Sequence, residues 1–151
     1  MKGPAFEIGS TAGRKAGTTT ILLVDDDRLV RELLRQILEE AGYRVLEAAG
    51  GEEARTHAER HEGPIHLLLT DVEMPGMNGR RLAELVTAAR RETKILIMSG
   101  YTDDTELQQN VRAGRLPFIN KPFRPESLLR KVREVLETGD AEPALAGRAA
   151  V

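Results

Sequence analysis

Six polar side chains stand at four points along the chain where their types could do chemistry together. Asp25, Asp26 and Asp27 are adjacent, while Asp71, Ser99 and Lys121 each stand at the end of a short apolar run. Adjacent carboxylates repel, a cost usually offset by a cation or a helix N-terminus. Carboxylates with no soft ligand nearby suit a hard cation such as Mg²⁺, which keeps waters and binds beside phosphate oxygens. Lys121 would offer a point charge and Ser99 a hydroxyl to further phosphoryl oxygens. Asp71 has two readings when taken alone. It is either a turn-starting Asp that bonds nearby backbone amides, or a nucleophile or metal ligand. Position divides the roles: paired acids hold metal, and the lone acid on a middle strand attacks phosphorus in line.

The elements that must position these groups are legible as alternating patterns. The stretch from Ile65 to Gly79 reads IHLLLTDVEMPGMNG. Its apolar start fits a buried central strand, and Pro75, Gly76, Asn78 and Gly79 break it into a turn. A second buried strand is expected over Ile21–Val24. It is followed by a helix over 28–41 with Leu29, Val30, Leu33, Leu34, Ile37 and Leu38 at helical spacing, and Gly42 stops it. One of the three consecutive acids can cap this helix; capping does not account for all three. Further strands are expected over 43–48, 95–98 and 116–119. Further helices are expected over 52–61, 78–91, 103–113 and 125–137, the last with Pro at its first turn. The 103–113 helix has only Leu107 and Val111 as bulky apolar contacts, so it is the least anchored. His57 and His61 lie four apart and could share a metal, but no third ligand is near in sequence; they read as a solvated face.

Strand followed by helix, five times over, calls for an α/β fold: a doubly wound parallel sheet with helices on both faces. Asp25-Asp26, Asp71, Ser99 and Lys121 then fall at the ends of the first, third, fourth and fifth strands, on one edge of the sheet. That is the edge where such folds place ligands.

Composition narrows the function classes. The 151 residues suffice for one domain with a core, and 40% hydrophobic with 30% charged residues is an ordinary globular balance. A net charge of −2 and 3% aromatics argue against nucleic acid as a direct partner. There is no cysteine, which excludes disulfides and thiolate metal sites and is compatible with a cytoplasmic location. No apolar run approaches the roughly 20 residues of a membrane helix. Residues 1–19 read as a flexible leader or linker, 20–137 as the domain, and 138–151 as a disordered tail.

The segments LLVDDD, LLLTDVEMPGMNG, ILIMSGY and FINKPF, in that order, resemble the receiver domain of two-component response regulators, and the resemblance covers residues 20 to 137. It implies a flavodoxin-like (βα)5 sheet of strand order 2-1-3-4-5. Asp71 would be the phosphoacceptor, with Asp25, Asp26, Asp71 and the backbone carbonyl of Glu73 around Mg²⁺, for which Mn²⁺ would substitute. Ser99 and Lys121 would contact the phosphoryl group, the Lys121–Pro122 bond would be cis, and Phe118 with Ser99 would form the switch. Glu73 and Tyr101 would border the path of the hydrolytic water. The implied partners are a sensor histidine kinase or histidine phosphotransfer protein, and a second copy through the fourth helix, fifth strand and fifth helix. The SGY and PFINKPF wording resembles receivers at the ends of hybrid sensor kinases. No DNA-binding unit fits after residue 137, so a stand-alone receiver or a fragment is expected. Pro117 cannot donate a ladder hydrogen bond, so the fifth strand is expected to be irregular at its start.

Two other classes compete. A haloacid-dehalogenase-like phosphatase uses an Asp-x-Asp pair after its first strand, which Asp25 and Asp27 match, but Leu29 stands where that family has Thr. A flavin-binding module of the same fold would have its phosphate repelled by the three acids.

Overall fold

The computed structural model describes residues 18–100 and 116–138. Most of the expected leader and tail, and the whole expected 103–113 helix, lie outside the described residues.

Among the described residues, five strands and four helices follow in order: β1 (Thr20–Val24), α1 (Arg28–Glu40), β2 (Arg44–Ala48), α2 (Gly51–Arg60), β3 (Leu67–Asp71), α3 (Gly79–Ala89), β4 (Lys94–Ser99), β5 (Phe118–Asn120) and α4 (Pro125–Leu136). The sheet has the order β2-β1-β3-β4-β5, and every pairing is parallel. This is the expected 2-1-3-4-5 order.

Burial on both faces explains why β1 and β3 read as continuous apolar runs. Successive side chains alternate between two cores. Leu22, Val24, Leu68 and Ile97 face Ala54, Ala58, Leu82 and Val86 of α2 and α3. Ile21, Leu23, Leu69 and Met98 face Leu34, Leu38, Leu128 and Val132 of α1 and α4. Small Ala residues let α2 sit close to the sheet. Its first residue, Gly51, is in contact with Met77, and a Cβ there would lie 2.6 Å from the Met77 sulfur.

The central strand begins at Leu67 rather than Ile65. His66 still bonds across to both neighbouring strands: its N–H donates to the Thr20 carbonyl (2.9 Å) and its carbonyl accepts from the Lys94 N–H (3.0 Å). The fifth strand starts at Phe118, two residues later than the apolar run suggests. Pro117 has no N–H to enter the ladder and contributes only its carbonyl, which accepts from the Ile97 N–H at 3.0 Å. His57 and His61 do not form a metal pair with a third ligand among the described residues. His57 is half-buried, with Nε2 3.0 Å from the Glu47 carbonyl oxygen. Arg90, just past α3, closes the end of α2 by donating to the carbonyls of Ala58, His61 and Gly63.

Register fixes the functional edge. Val24 pairs with Thr70, so Asp25 and Asp71 are the next residues at one level of adjacent strands. Asp71 pairs with Met98 and Ser99 with Asn120, which places Ser99 one step and Lys121 two steps further along the same edge.

Candidate active site

Each of the three consecutive acids has a separate position. Asp27 is the N-cap of α1: its carboxylate accepts from the amides of Leu29 (2.9 Å) and Val30 (3.2 Å). Asp25 is buried, and its Oδ1 accepts from the Asp27 N–H at 2.9 Å. Asp26 is exposed. Asp25, Asp26 and Asp71 each offer a carboxylate oxygen, and these atoms lie within 4.8 Å of one another. Lys121 Nζ stands 3.1 Å from Asp71 Oδ1.

The electrostatics are those of a site short of positive charge. Burial raises the Asp25 carboxyl above its ordinary range; the bond from the Asp27 amide opposes this, while Asp71 and Asp26 add to it. Burial also raises Asp71, against the opposing pull of Lys121. Asp25 Oδ2 is buried without a hydrogen-bond partner. An orphaned carboxylate oxygen beside two more carboxylates fits a hard divalent cation, which would satisfy it and relieve the mutual repulsion.

The other expected site residues are distributed around this centre. Ser99 is buried at the end of β4, and its carbonyl accepts from the Lys121 N–H at 2.7 Å. The Lys121–Pro122 peptide is cis. Glu73 is exposed in the loop between β3 and α3. Phe118 is half-buried and packs against the core beneath α2 and α3, a contact an ordinary core aromatic would also make. Tyr101 lies outside the described residues.

Three contributors escaped the sequence reading. Arg31 donates to the Asp25 carbonyl at 2.8 Å. The buried Thr70 hydroxyl donates to the Asp71 carbonyl at 2.9 Å. Gly79 lies against that same carbonyl. All three act on main-chain oxygens, which no side-chain motif reports; only the Gly79 residue type hinted at a close approach.

The comparisons with known proteins agree with this geometry. Residues 21–133 match the model of the response regulator receiver domain. The chain belongs to the response regulator receiver family. The receiver is 34% identical over 125 residues to the sensor kinase CckA of Brucella abortus, covering 83% of this chain and 13% of that protein. It is 33% identical over 118 residues to the transcriptional regulatory protein ResD of Bacillus subtilis, covering 78% of this chain and 48% of the relative. The receiver thus spans less than half of either relative. Among solved structures, a CheY-like response regulator receiver domain protein from Methanospirillum hungatei superposes with a TM-score of 0.70. It has 33% identity, with 80% of this chain and 94% of that one covered.

Receivers act in two-component signalling with histidine kinases, and they typically use Mg²⁺ at an acidic cluster such as the one seen here. The phosphatase alternative has no support: the match is to the receiver family, and Asp27 caps a helix instead of joining Asp25. No helix among the described residues is long and apolar enough to cross a membrane.

Proposed function

We propose that this receiver accepts a phosphoryl group on Asp71 from the phosphohistidine of a sensor kinase or histidine phosphotransfer protein in the cytoplasm. The observation that carries this reading is the convergence of three carboxylates within 4.8 Å, with Lys121 Nζ 3.1 Å from Asp71. In the transfer, the P–N bond of the donor breaks as a P–O bond to an Asp71 carboxylate oxygen forms. Asp25, Asp26, Asp71 and the Glu73 carbonyl would hold Mg²⁺, or Mn²⁺ in its place. The ion would neutralise developing charge on the phosphoryl oxygens. Lys121 releases Asp71 to bind a phosphoryl oxygen, and the Ser99 hydroxyl binds another.

Attraction of Ser99 to the phosphoryl group would open space for Phe118 to turn toward the core, reporting the new charge to the face of the expected 103–113 helix, β5 and α4, the proposed surface for self-association. The donor must cover the open edge of the sheet. Leu29 and Leu33, 76% and 57% exposed on the first turns of α1, flank that edge and would seat the donor's apolar surface.

Incubation with a small acyl phosphate and Mg²⁺ should add one base-labile phosphoryl group, absent in Asp71→Asn. Full labelling of that variant would sink the assignment.

A further inference from the structure

Asp25 is held from more directions than a capping or surface acid requires. Its N–H donates to the Ala48 carbonyl of β2 at 3.2 Å. Its Oδ1 accepts from the Asp27 amide. Its carbonyl accepts from Arg31 Nη1 at 2.8 Å. Arg31 is in turn fixed by Glu47, the residue before Ala48, through an Nε–Oε1 contact of 3.2 Å, and its side chain is only 16% exposed. Both main-chain groups of Asp25 are thus tied to the end of β2, the N–H directly and the carbonyl through Arg31. Of the carboxylate oxygens of Asp25, Oδ2 is left without a hydrogen-bond partner, and the Asp25 carboxylate stands in the cluster with Asp26 and Asp71.

We infer that Arg31, anchored by Glu47, is a positioning residue for the cation site: it fixes the Asp25 peptide so that Oδ2 is presented to the metal. This rests on the proposed Mg²⁺ reading of the acid cluster. The guanidinium geometry suits the task. Its fork can hold a carbonyl and a carboxylate at once, which a lysine ammonium does less well. Groups that orient metal ligands are worth about 10–100-fold in metal affinity where they have been removed.

Charge and positioning predict opposite signs. Removing a cation beside three carboxylates should, by Coulomb's law alone, leave Mg²⁺ binding unchanged or tighter. Loss of positioning should weaken it. Arg35 is the internal control: it also binds Glu47, through Nε–Oε2 at 2.9 Å, and no bond from it to Asp25 is found among the described residues.

Calorimetric titration of Mg²⁺ into the full 151-residue chain decides the matter. Arg31→Met should bind about tenfold more weakly or worse. Arg31→Lys should fall between it and the parent, and Arg35→Met should match the parent. Parent-like or tighter binding by Arg31→Met overturns the inference, as does an equal loss in Arg35→Met, which would reflect general loosening of α1. Should Arg31→Met not fold, Arg31→Lys decides: a several-fold loss supports positioning and parent affinity overturns it. Asp25→Asn separates the two layers. If that variant binds Mg²⁺ as the parent does, the metal reading itself falls and the positioning role with it.

Discussion

Gly79 lies so close to Asp71 that a Cβ on it would stand 2.3 Å from the Asp71 carbonyl oxygen and 3.0 Å from the Val72 Cα. The first residue of α3 therefore abuts the backbone of the proposed phosphoacceptor. The contact is reinforced by the Gly79 N–H, which donates to the Val72 carbonyl at 2.8 Å. No side chain can be accommodated without moving main chain, and overpacking of that kind costs about 1–3 kcal/mol. Gly79→Ala should lower the unfolding free energy by that amount and slow phosphorylation by a small donor. Parent values for both, read by chemical denaturation and phosphoryl incorporation, would show that the loop yields without disturbing Asp71.

The raised carboxyl groups give a pH signature. Asp25 and Asp71 are both shifted upward by burial, so the folded state binds their protons more tightly than the unfolded chain. Their contribution to stability is then full below the unfolded value, near 3.8, and is lost as pH rises through the folded value. At neutral pH the two carboxylates oppose folding. Asp25→Asn should therefore raise the melting temperature of the metal-free protein at pH 7, with the gain disappearing in acid. Mg²⁺ at a hundredfold excess over its Kd should add about 2.7 kcal/mol to the parent and much less to the variant. A metal-free variant that melts lower than the parent at pH 7 would contradict the sign.

Exposed Leu29 and Leu33 separate two kinds of donor. A small acyl phosphate needs only the acid cluster and Lys121, whereas a protein donor must also seat its surface. Leu29→Ser with Leu33→Ser should leave small-donor phosphorylation intact and slow transfer from a phosphorylated kinase by about tenfold, which corresponds to about 1.4 kcal/mol. Equal rates from the kinase in parent and variant would remove α1 from the docking surface.

Persistence of the phosphoryl group depends on water reaching phosphorus opposite Asp71. The proposed gates are Glu73, exposed two residues beyond Asp71, and Tyr101, which follows Ser99 by two positions in sequence and lies outside the described residues. Tyr101→Ala should speed dephosphorylation, and Glu73→Ala should change its rate while phosphorylation persists. Phosphoryl lifetimes equal to the parent in both variants would retire the gating role and leave the phosphoacceptor assignment standing.

The sequence by itself determined the architecture and the identity of the acidic and basic groups. Doubly buried strands leave continuous apolar runs such as ILLV and LLL, amphipathic helices leave periodic stripes, and parallel β-α alternation brings strand ends to one edge. Asp25, Asp26, Asp71, Ser99 and Lys121 could therefore be placed on that edge before any coordinates. What the tertiary structure decided was the division among neighbours and the backbone around them. Three adjacent acids look alike in sequence, yet Asp27 caps α1, Asp26 stays exposed and Asp25 is buried with one oxygen unpaired. The reach of Arg31 to the Asp25 carbonyl and the pressure of Gly79 on the Asp71 carbonyl were invisible in the same way. Both are contacts with main-chain oxygens, which every residue carries, so only the packing of α1 and α3 against the strand ends selects which are used.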